Sequence, residues 1–444
     1  MLNRRQFLTS AAVALQDSAP ARKLPNVLYI CCDSWRAQAL PSAGDFNVIT
    51  PNLARLASQG VHFSRSYAAN PVCGPSRAAI QTGKFPHAVK MPVNDLLLPL
   101  DEVCISQLLV KAGYKTGYIG KWHLDGEERP GFVPPGPHRH GYQYWAATNR
   151  NHDAFNTIYF RDAPEPIHKE GFEPDIQTDL AIQFLEENKA NPFYLFLSWV
   201  SPHAPYTPPT RHQKTYNPAK LALRENVPLG SEAQTRKDLA GYYGLCSALD
   251  DDIGRLLDKL DQLKLTADTI VIFTADHGNM LGSHGLIGMD VPYEESVGIP
   301  LIVRYPRKLK AGTLDEDLLV SNVDHMPTIL GFCGVESPSD VQGRDLSNFM
   351  ISGEGDRPQS IYCEGQLTTP EEWRMIVRGL DKMVVGRDMK VTHLFNLGQD
   401  PFEMTNLANS KASSVLQDGL LALMKRWMIR TGDRVPYPKP KVRA

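Results

Sequence analysis

The sequence predicts an α/β fold built on a mostly parallel central sheet flanked by helices, with a smaller antiparallel sheet towards the C-terminus. Three observations predict it. Unbroken apolar runs end on polar residues: 26–32 on Asp33, 193–200 on Ser201-Pro202-His203, and 269–275 on Asp276-His277. A strand buried on both faces reads as such a run, whereas a half-exposed one alternates. Helical patterns stand between the runs, the longest over residues 240–260, so strand and helix alternate. Beyond residue 353 the pattern changes to short alternating runs at 375–378, 382–385 and 393–397, then a helix over 413–431 and a Pro/Lys tail. The organisation expected is residues 1–21 as an export signal, 22–353 as the main domain and 354–444 as a C-terminal subdomain.

The first element is the signal. Arg4 and Arg5 precede a short apolar run over 7–15, and Ala19-Pro20-Ala21 supplies a small-x-small cleavage site. The arginine pair before Gln6-Phe7-Leu8 points to the twin-arginine route, and so to a periplasmic or extracellular protein. A frayed N-terminus is the competing reading, because Asp17 interrupts the apolar exit. No later stretch is long and uncharged enough to span a bilayer, so no membrane insertion of the mature chain is expected. A net charge of -2 on 444 residues gives no basic field for a nucleic-acid partner, so anion recognition must be local. The seven cysteines are scattered without C-x-x-C spacing, which suggests neither a disulfide framework nor a zinc site. Cys31, Cys32, Cys104 and Cys246 read as small buried hydrophobes.

Cys73 has different neighbours. Pro75 and Ser76 read as the opening of a helix that runs on from Arg77, which puts Cys73 at a positive helix N-terminus. Such a position favours a thiolate and attracts anions. From these residues alone a reactive nucleophile and a buried structural cysteine stand even. Next along the chain, alternation after residues 114–119 places Lys121 and His123 on one face of an extended segment and Trp122 on the other. A solvated Lys/His pair is the commoner outcome for such a loop. His203 lies in a turn between Pro202 and Pro205, where a structural histidine competes. Asp33, Asp276 and His277, at two strand ends, make an oxygen-rich site for a hard divalent cation, or a turn and a cap. Residues 126–163 and 205–229, rich in Pro, Gly, His and aromatics, read as excursions walling a pocket. Gly141-Tyr142-Gln143-Tyr144-Trp145, with Asn149, Asn151, His152 and Asp153, suits a sugar subsite or, equally, an ordered surface loop. His284, His325 and Asp250-Asp251-Asp252 read as capping or solvated-face residues.

Cys73-Gly74-Pro75-Ser76-Arg77, followed by Thr82-Gly83, resembles the C-x-P-S-R formylglycine signature of the type I sulfatases of the alkaline phosphatase superfamily. Gly120-Lys121-Trp122-His123, Ser201-Pro202-His203, Asp276-His277 and the pattern over 285–296 follow in that family's order. The resemblance implies an alkaline-phosphatase-like fold and a sulfuric ester hydrolase whose catalytic domain is residues 22–353. Cys73 would be converted by a formylglycine-generating enzyme to an aldehyde, whose hydrate attacks the sulfur. The second hydroxyl then expels sulfate by rebuilding the aldehyde. Arg77 would hold the hydrate, Lys121 would grip sulfate, His123 would assist the diol, and His203 would contact sulfate or protonate the leaving group. Asp33, Cys73, Asp276 and His277 would hold one divalent cation, calcium first, with manganese or magnesium as alternatives. The substrate expected is a sulfate ester, of a saccharide by preference. Two departures matter: Ser34 stands where many sulfatases carry a second aspartate, and Met289 where they carry a sulfate-binding lysine. The single aspartate also resembles the phosphonate monoester hydrolases, so a phosphonate monoester or phosphodiester hydrolase is one rival. An inactive sulfated-sugar-binding homologue is the other.

Overall fold

The computed structural model describes residues 24–437, so the export signal expected over 1–21 lies outside the described residues. Eight strands form the central sheet, in the order Thr313–Asp315, Val61–Phe63, Leu301–Arg304, Thr269–Ala275, Asn26–Cys32, Phe193–Trp199, Lys115–Lys121 and Tyr144–Thr148. Within this sheet Leu301–Arg304 alone runs antiparallel to both its neighbours. The three unbroken apolar runs are its three middle strands, with Asn26–Cys32 pairing in parallel with both others.

Alternation along the middle strand explains why it needs apolar residues throughout. Leu28, Ile30 and Cys32 join a core shared with helices Pro51–Ser58, Glu173–Asn188 and Glu232–Gln262. Val27, Tyr29 and Cys31 join another, shared with Cys73–Thr82, Ile105–Lys111 and His325–Cys333. Each large apolar side chain buried this way contributes about 1.5–3 kcal/mol. With both faces covered, the strand ends are left to carry polar groups.

Four expectations need correction. The long helix begins at Glu232, not near residue 240, because its first turns are built from good helix formers that carry little apolar signal. Asp252 is buried, not solvated, with Arg255 holding it at 2.8 Å, whereas Asp250, also buried, caps as expected, accepting the N–H groups of Asn52 and Leu53 (2.9 and 2.7 Å) at the start of helix Pro51–Ser58. Tyr144–Thr148 is an edge strand of the central sheet, not part of an excursion. The sugar-subsite reading of Gly141 to Trp145 fails with it. Tyr142 and Trp145 are buried around Tyr118 and Trp122, and Asn149 ties down the carbonyls of Asp125, Gly126 and Glu128.

The C-terminal sheet has four antiparallel strands, Ile361–Gly365, Trp373–Arg378, Asp381–Gly386 and Val391–Asn396. The first of them gave no alternating signal, since all five of its residues are buried. Helix Ser414–Thr431 lays Leu420, Met424 and Trp427 on Ile376, Met383 and Val385, in a cluster that also takes in Ala79 and Phe85 of the main domain. A buried polar latch closes the same joint. Arg374 holds Asp433 through Nε (2.5 Å) and Nη2 (2.9 Å), the Tyr362 hydroxyl donates to Asp433, and His87 bridges Glu364 and the Thr431 carbonyl. Arg374→Met strands the Asp433 carboxylate without its cation. We expect a loss of about 3–5 kcal/mol in guanidinium unfolding; a change under about 1 kcal/mol, within the range of an ordinary surface substitution, would show that the latch adds nothing.

Candidate active site

Four adjacent parallel strands end side by side, and the residues at those ends form the site. Pairing runs one residue past the middle strand: Asp33 N–H donates to the Trp199 carbonyl (3.1 Å) and Asp276 N–H to that of Cys32 (3.0 Å). Asp33 and Asp276 therefore sit next to one another, with Ser198 and Lys121 beside them. Gly120, at φ +101°, makes this closeness possible, because a Cβ there would lie 2.0 Å from the Ser198 carbonyl oxygen.

Helix Cys73–Thr82 brings in the thiol. It starts at Cys73 itself, earlier than expected, and all ten of its residues are buried. Its first turn is tied over the strand ends: Gly74 N–H donates to Asn94 Oδ1 (2.8 Å), the Ser76 hydroxyl donates to the Asp276 carbonyl, and Asn322 donates to the Ser76 hydroxyl (2.8 Å). Cys73 Sγ consequently lies 3.2 Å from His277 Nε2 and 3.9 Å from Asp33 Oδ1. Arg77, one turn on, sends Nε and Nη2 to Asp276 Oδ2 (3.1 and 2.9 Å) and Nη1 to the Lys121 carbonyl (2.9 Å). Lys121 Nζ ion-pairs with Asp33. Ser34, in a left-handed conformation (φ 69°), adds no carboxylate; its N–H donates to Asp276 Oδ1 and its hydroxyl to Asp33 Oδ1.

His123 adopts a left-handed backbone (φ 60°). The ring is buried, and Nε2 lies 3.0 Å from Asp95, which also takes Arg129 and Arg150. Burial, with Lys121 and Arg150 nearby, holds His123 far below the usual histidine range and therefore neutral. Its Nε2–H is committed to Asp95, so Nδ1 is left as a buried acceptor without a partner. His203 donates from Nδ1 to the Ala204 carbonyl (2.7 Å), and its ring stacks on that of His152. The structure thus gathers Asp33, Cys73, Arg77, Lys121, Asp276 and His277 in direct contact, with His123 near enough to feel the charges of Lys121, Arg77 and Asp33 and His203 stacked on His152, which meets Lys121. Ser198, Asn94, Asp95 and Arg150 gave no signal in the sequence, since each matters only through a partner on another element.

The donor set can be tested against a cation. One atom each from Asp33, Cys73, Asp276 and His277 lies within 4.8 Å of all the others, and all four residues are buried. Burial alone would depress the His277 imidazolium, yet Asp276, Cys73 and Asp33 outweigh it and raise it to about 10. The pocket draws a positive charge. His277 also donates from Nδ1 to the Gly278 carbonyl (2.8 Å), which aims the Nε2 lone pair of the neutral ring inwards. Carboxylate oxygens and an imidazole nitrogen fit a divalent cation. Asp33 and Asp276 are balanced by Lys121 and Arg77, so a divalent cation would make the site net positive and receptive to an anion.

The main sheet thus carries, at the C-terminal ends of its parallel strands, a buried cluster fit for a cation and receptive to an anion, beside a separate antiparallel sheet. Residues 25–335 match the family model Sulfatase, and residues 282–429 match N-sulphoglucosamine sulphohydrolase, C-terminal. The chain belongs to the sulfatase family and is a sulfuric ester hydrolase. It is 33% identical to an ulvan-active sulfatase of Formosa agariphila over 92% of this chain and 82% of the relative. An N-acetylglucosamine-6-O-sulfatase of Bacteroides thetaiotaomicron is 28% identical over 98% and 92% of the two chains. A solved structure in complex with its substrate D-glucosamine-2-N,6-O-disulfate superimposes with a TM-score of 0.83 at 27% identity, covering 94% of this chain and all of the other.

Proposed function

We propose that this sulfatase is exported and cleaves a sulfate ester of a saccharide, using formylglycine made from Cys73 and one divalent cation, calcium by preference. The observation that carries the reading is the place of Cys73 Sγ, inside the same cluster as two buried carboxylates and an imidazole, with Arg77 and Lys121 alongside. That is where a nucleophilic oxygen needs both activation and a partner for the anion. The saccharide is supported by the relatives: an ulvan-active sulfatase, an N-acetylglucosamine-6-O-sulfatase and a protein whose substrate is D-glucosamine-2-N,6-O-disulfate. Export rests on the Arg4-Arg5 segment.

Each residue has a role that its contacts support. As the hydrated aldehyde, Cys73 provides the attacking oxygen and a second hydroxyl that later releases sulfate. Asp33, Asp276, His277 and the converted Cys73 would hold the cation, which would supply Lewis-acid polarisation. Arg77, locked on Asp276, holds the diol. Lys121 keeps its third N–H for a sulfuryl oxygen after meeting Asp33 and His152. His123, neutral and with an unpaired Nδ1 acceptor, accepts a hydrogen bond from the diol. His203 stands at the leaving-group side. Among the described residues no helix is long and apolar enough to cross a membrane.

The test is the mass of the peptide containing Cys73 in protein from its native host. The expected result is the loss that accompanies conversion of CH2SH to CHO, together with faster turnover of an aryl sulfate than of an aryl phosphonate ester. An intact thiol in protein that still hydrolyses sulfate esters would sink the nucleophile. The opposite order of rates would favour the phosphonate hydrolase.

A further inference from the structure

We propose that, while Cys73 is still a thiol, Asp33, Cys73, Asp276 and His277 form a zinc site, and that conversion of Cys73 to the aldehyde is what turns this pocket over to a hard cation such as calcium. The inference rests on the cation pocket and the Cys73 conversion proposed above and adds a second metal state, ahead of maturation.

The argument is one of donor chemistry and distance. The thiol chain offers a sulfur, an imidazole nitrogen and two carboxylate oxygens at a single buried point. A further contact aims each carboxylate and the ring. Lys121 holds Asp33 Oδ2 and Arg77 Nε holds Asp276 Oδ2 (3.1 Å), which leaves Oδ1 of both carboxylates on the His277 side, 3.6 and 3.7 Å from Nε2. His277 donates from Nδ1 to the Gly278 carbonyl, so Nε2 of the neutral ring carries the lone pair. Cys73 Sγ lies 3.2 Å from that nitrogen and 3.9 Å from Asp33 Oδ1. Zinc takes sulfur at about 2.3 Å, nitrogen at about 2.0–2.1 Å and carboxylate oxygen at about 2.0–2.2 Å, and at tetrahedral angles those bonds put the donors about 3.3–3.7 Å apart. The separations of 3.2, 3.6, 3.7 and 3.9 Å match the edges of that tetrahedron closely enough for side-chain adjustment to complete it. Zinc binds the thiolate, and the thiol proton leaves to water. The thiolate and the two carboxylates outweigh the charge of the zinc, and Lys121 and Arg77 are at hand to take up the excess. Conversion removes the sulfur. The hydrated aldehyde puts oxygen in its place, and oxygens with a single imidazole suit calcium, manganese or magnesium, which a thiolate does not. No C-x-x-C spacing marks the site in the sequence, because its one cysteine, on a helix, meets the other donors at the ends of two strands only once the chain is folded.

The experiment compares the full chain in its thiol form, made without a maturation enzyme, with the matured form and with Cys73→Ala and Cys73→Ser, the last of which puts oxygen where the sulfur stood. Cobalt(II), which adopts the geometry of zinc, reports a bound thiolate as a charge-transfer band in the near ultraviolet, and competition with a chromophoric chelator gives the Kd for zinc. The thiol form should hold zinc in equal amount with chain by elemental analysis, keep it in excess calcium and show the cobalt band. The band should be absent from the matured form and from both variants, so that none of the other cysteines, all buried, accounts for it. Zinc should bind Cys73→Ala and Cys73→Ser more weakly than the thiol form by about 10²-fold or more, since the loss of an outer-shell partner alone costs about 10–100-fold. A thiol form without the band, or a Kd in Cys73→Ala within threefold of the thiol form, overturns the inference. So does a matured protein that prefers zinc to calcium as strongly as the thiol form does. A thiol form that refuses zinc, beside a matured protein that takes calcium, overturns the inference alone and leaves the proposed function standing. No metal on either form overturns the cation reading itself, and the zinc site with it.

Discussion

Cys73→Ala should lower turnover of an aryl sulfate by about 10⁴-fold or more, the scale on which a covalent nucleophile acts together with its activating groups. The substitution removes one buried sulfur that touches His277 and Asp33 and leaves the ties of the helix start in place: Gly74 to Asn94 and Ser76 to Asp276. The fold should therefore survive, and thermal unfolding of the variant beside wild type checks it. Steady-state rates on 4-nitrophenyl sulfate measure the loss. The remaining side chains of the cluster are two carboxylates and an imidazole, already committed to the cation pocket, Arg77 and Lys121. A variant retaining a tenth of wild-type activity would refute Cys73 as the origin of the nucleophile.

The second large effect is expected from the cation. Chelation followed by gel filtration should reduce activity about 10³-fold, the several kcal/mol that Lewis-acid stabilisation supplies, and calcium, manganese or magnesium added back singly should show which ion restores it. Asp276→Asn should give a similar loss with lower metal content by elemental analysis. It should also cost stability, because Asp276 accepts Arg77 Nε–H, ion-pairs with Nη2 and accepts the N–H groups of Ser34 and His277. Leaving buried Arg77 short of its carboxylate costs about 3–5 kcal/mol. The two measurements separate the roles: chelated wild type should lose activity while keeping the Arg77–Asp276 pair, whereas Asp276→Asn should lose both. Full activity after chelation, with no metal detected, would refute the cation reading.

How legible the site was in the sequence depended on how far apart its pieces lie. The strand ends carrying Asp33, Asp276 and His277 were readable, because a doubly covered strand must be apolar to its last residue and the first polar residue marks its edge. Cys73 to Arg77 was readable as a contiguous motif on one helix. Less was readable at His123: alternation placed it beside Lys121, whose charge it feels, but its bond to Asp95 left no trace in the sequence. The aromatic stretch at Tyr142 and Trp145 misled in the opposite direction, since large rings with polar neighbours look alike in a ligand loop and in a core.

By itself the sequence determined the central parallel strands, the motif that carries Cys73 and Arg77 and the charged residues at the strand ends, all of which are local patterns in residue type and spacing. Only the tertiary structure decided that Lys121 divides its N–H groups between Asp33 and His152, that His152 stacks on His203, and that Asp95 takes the Nε2–H of His123. The physical reason is range: a strand or a helix start is set by neighbours along the chain, whereas a hydrogen bond or a ring stack depends on ångström distances between elements that no spacing in the sequence encodes.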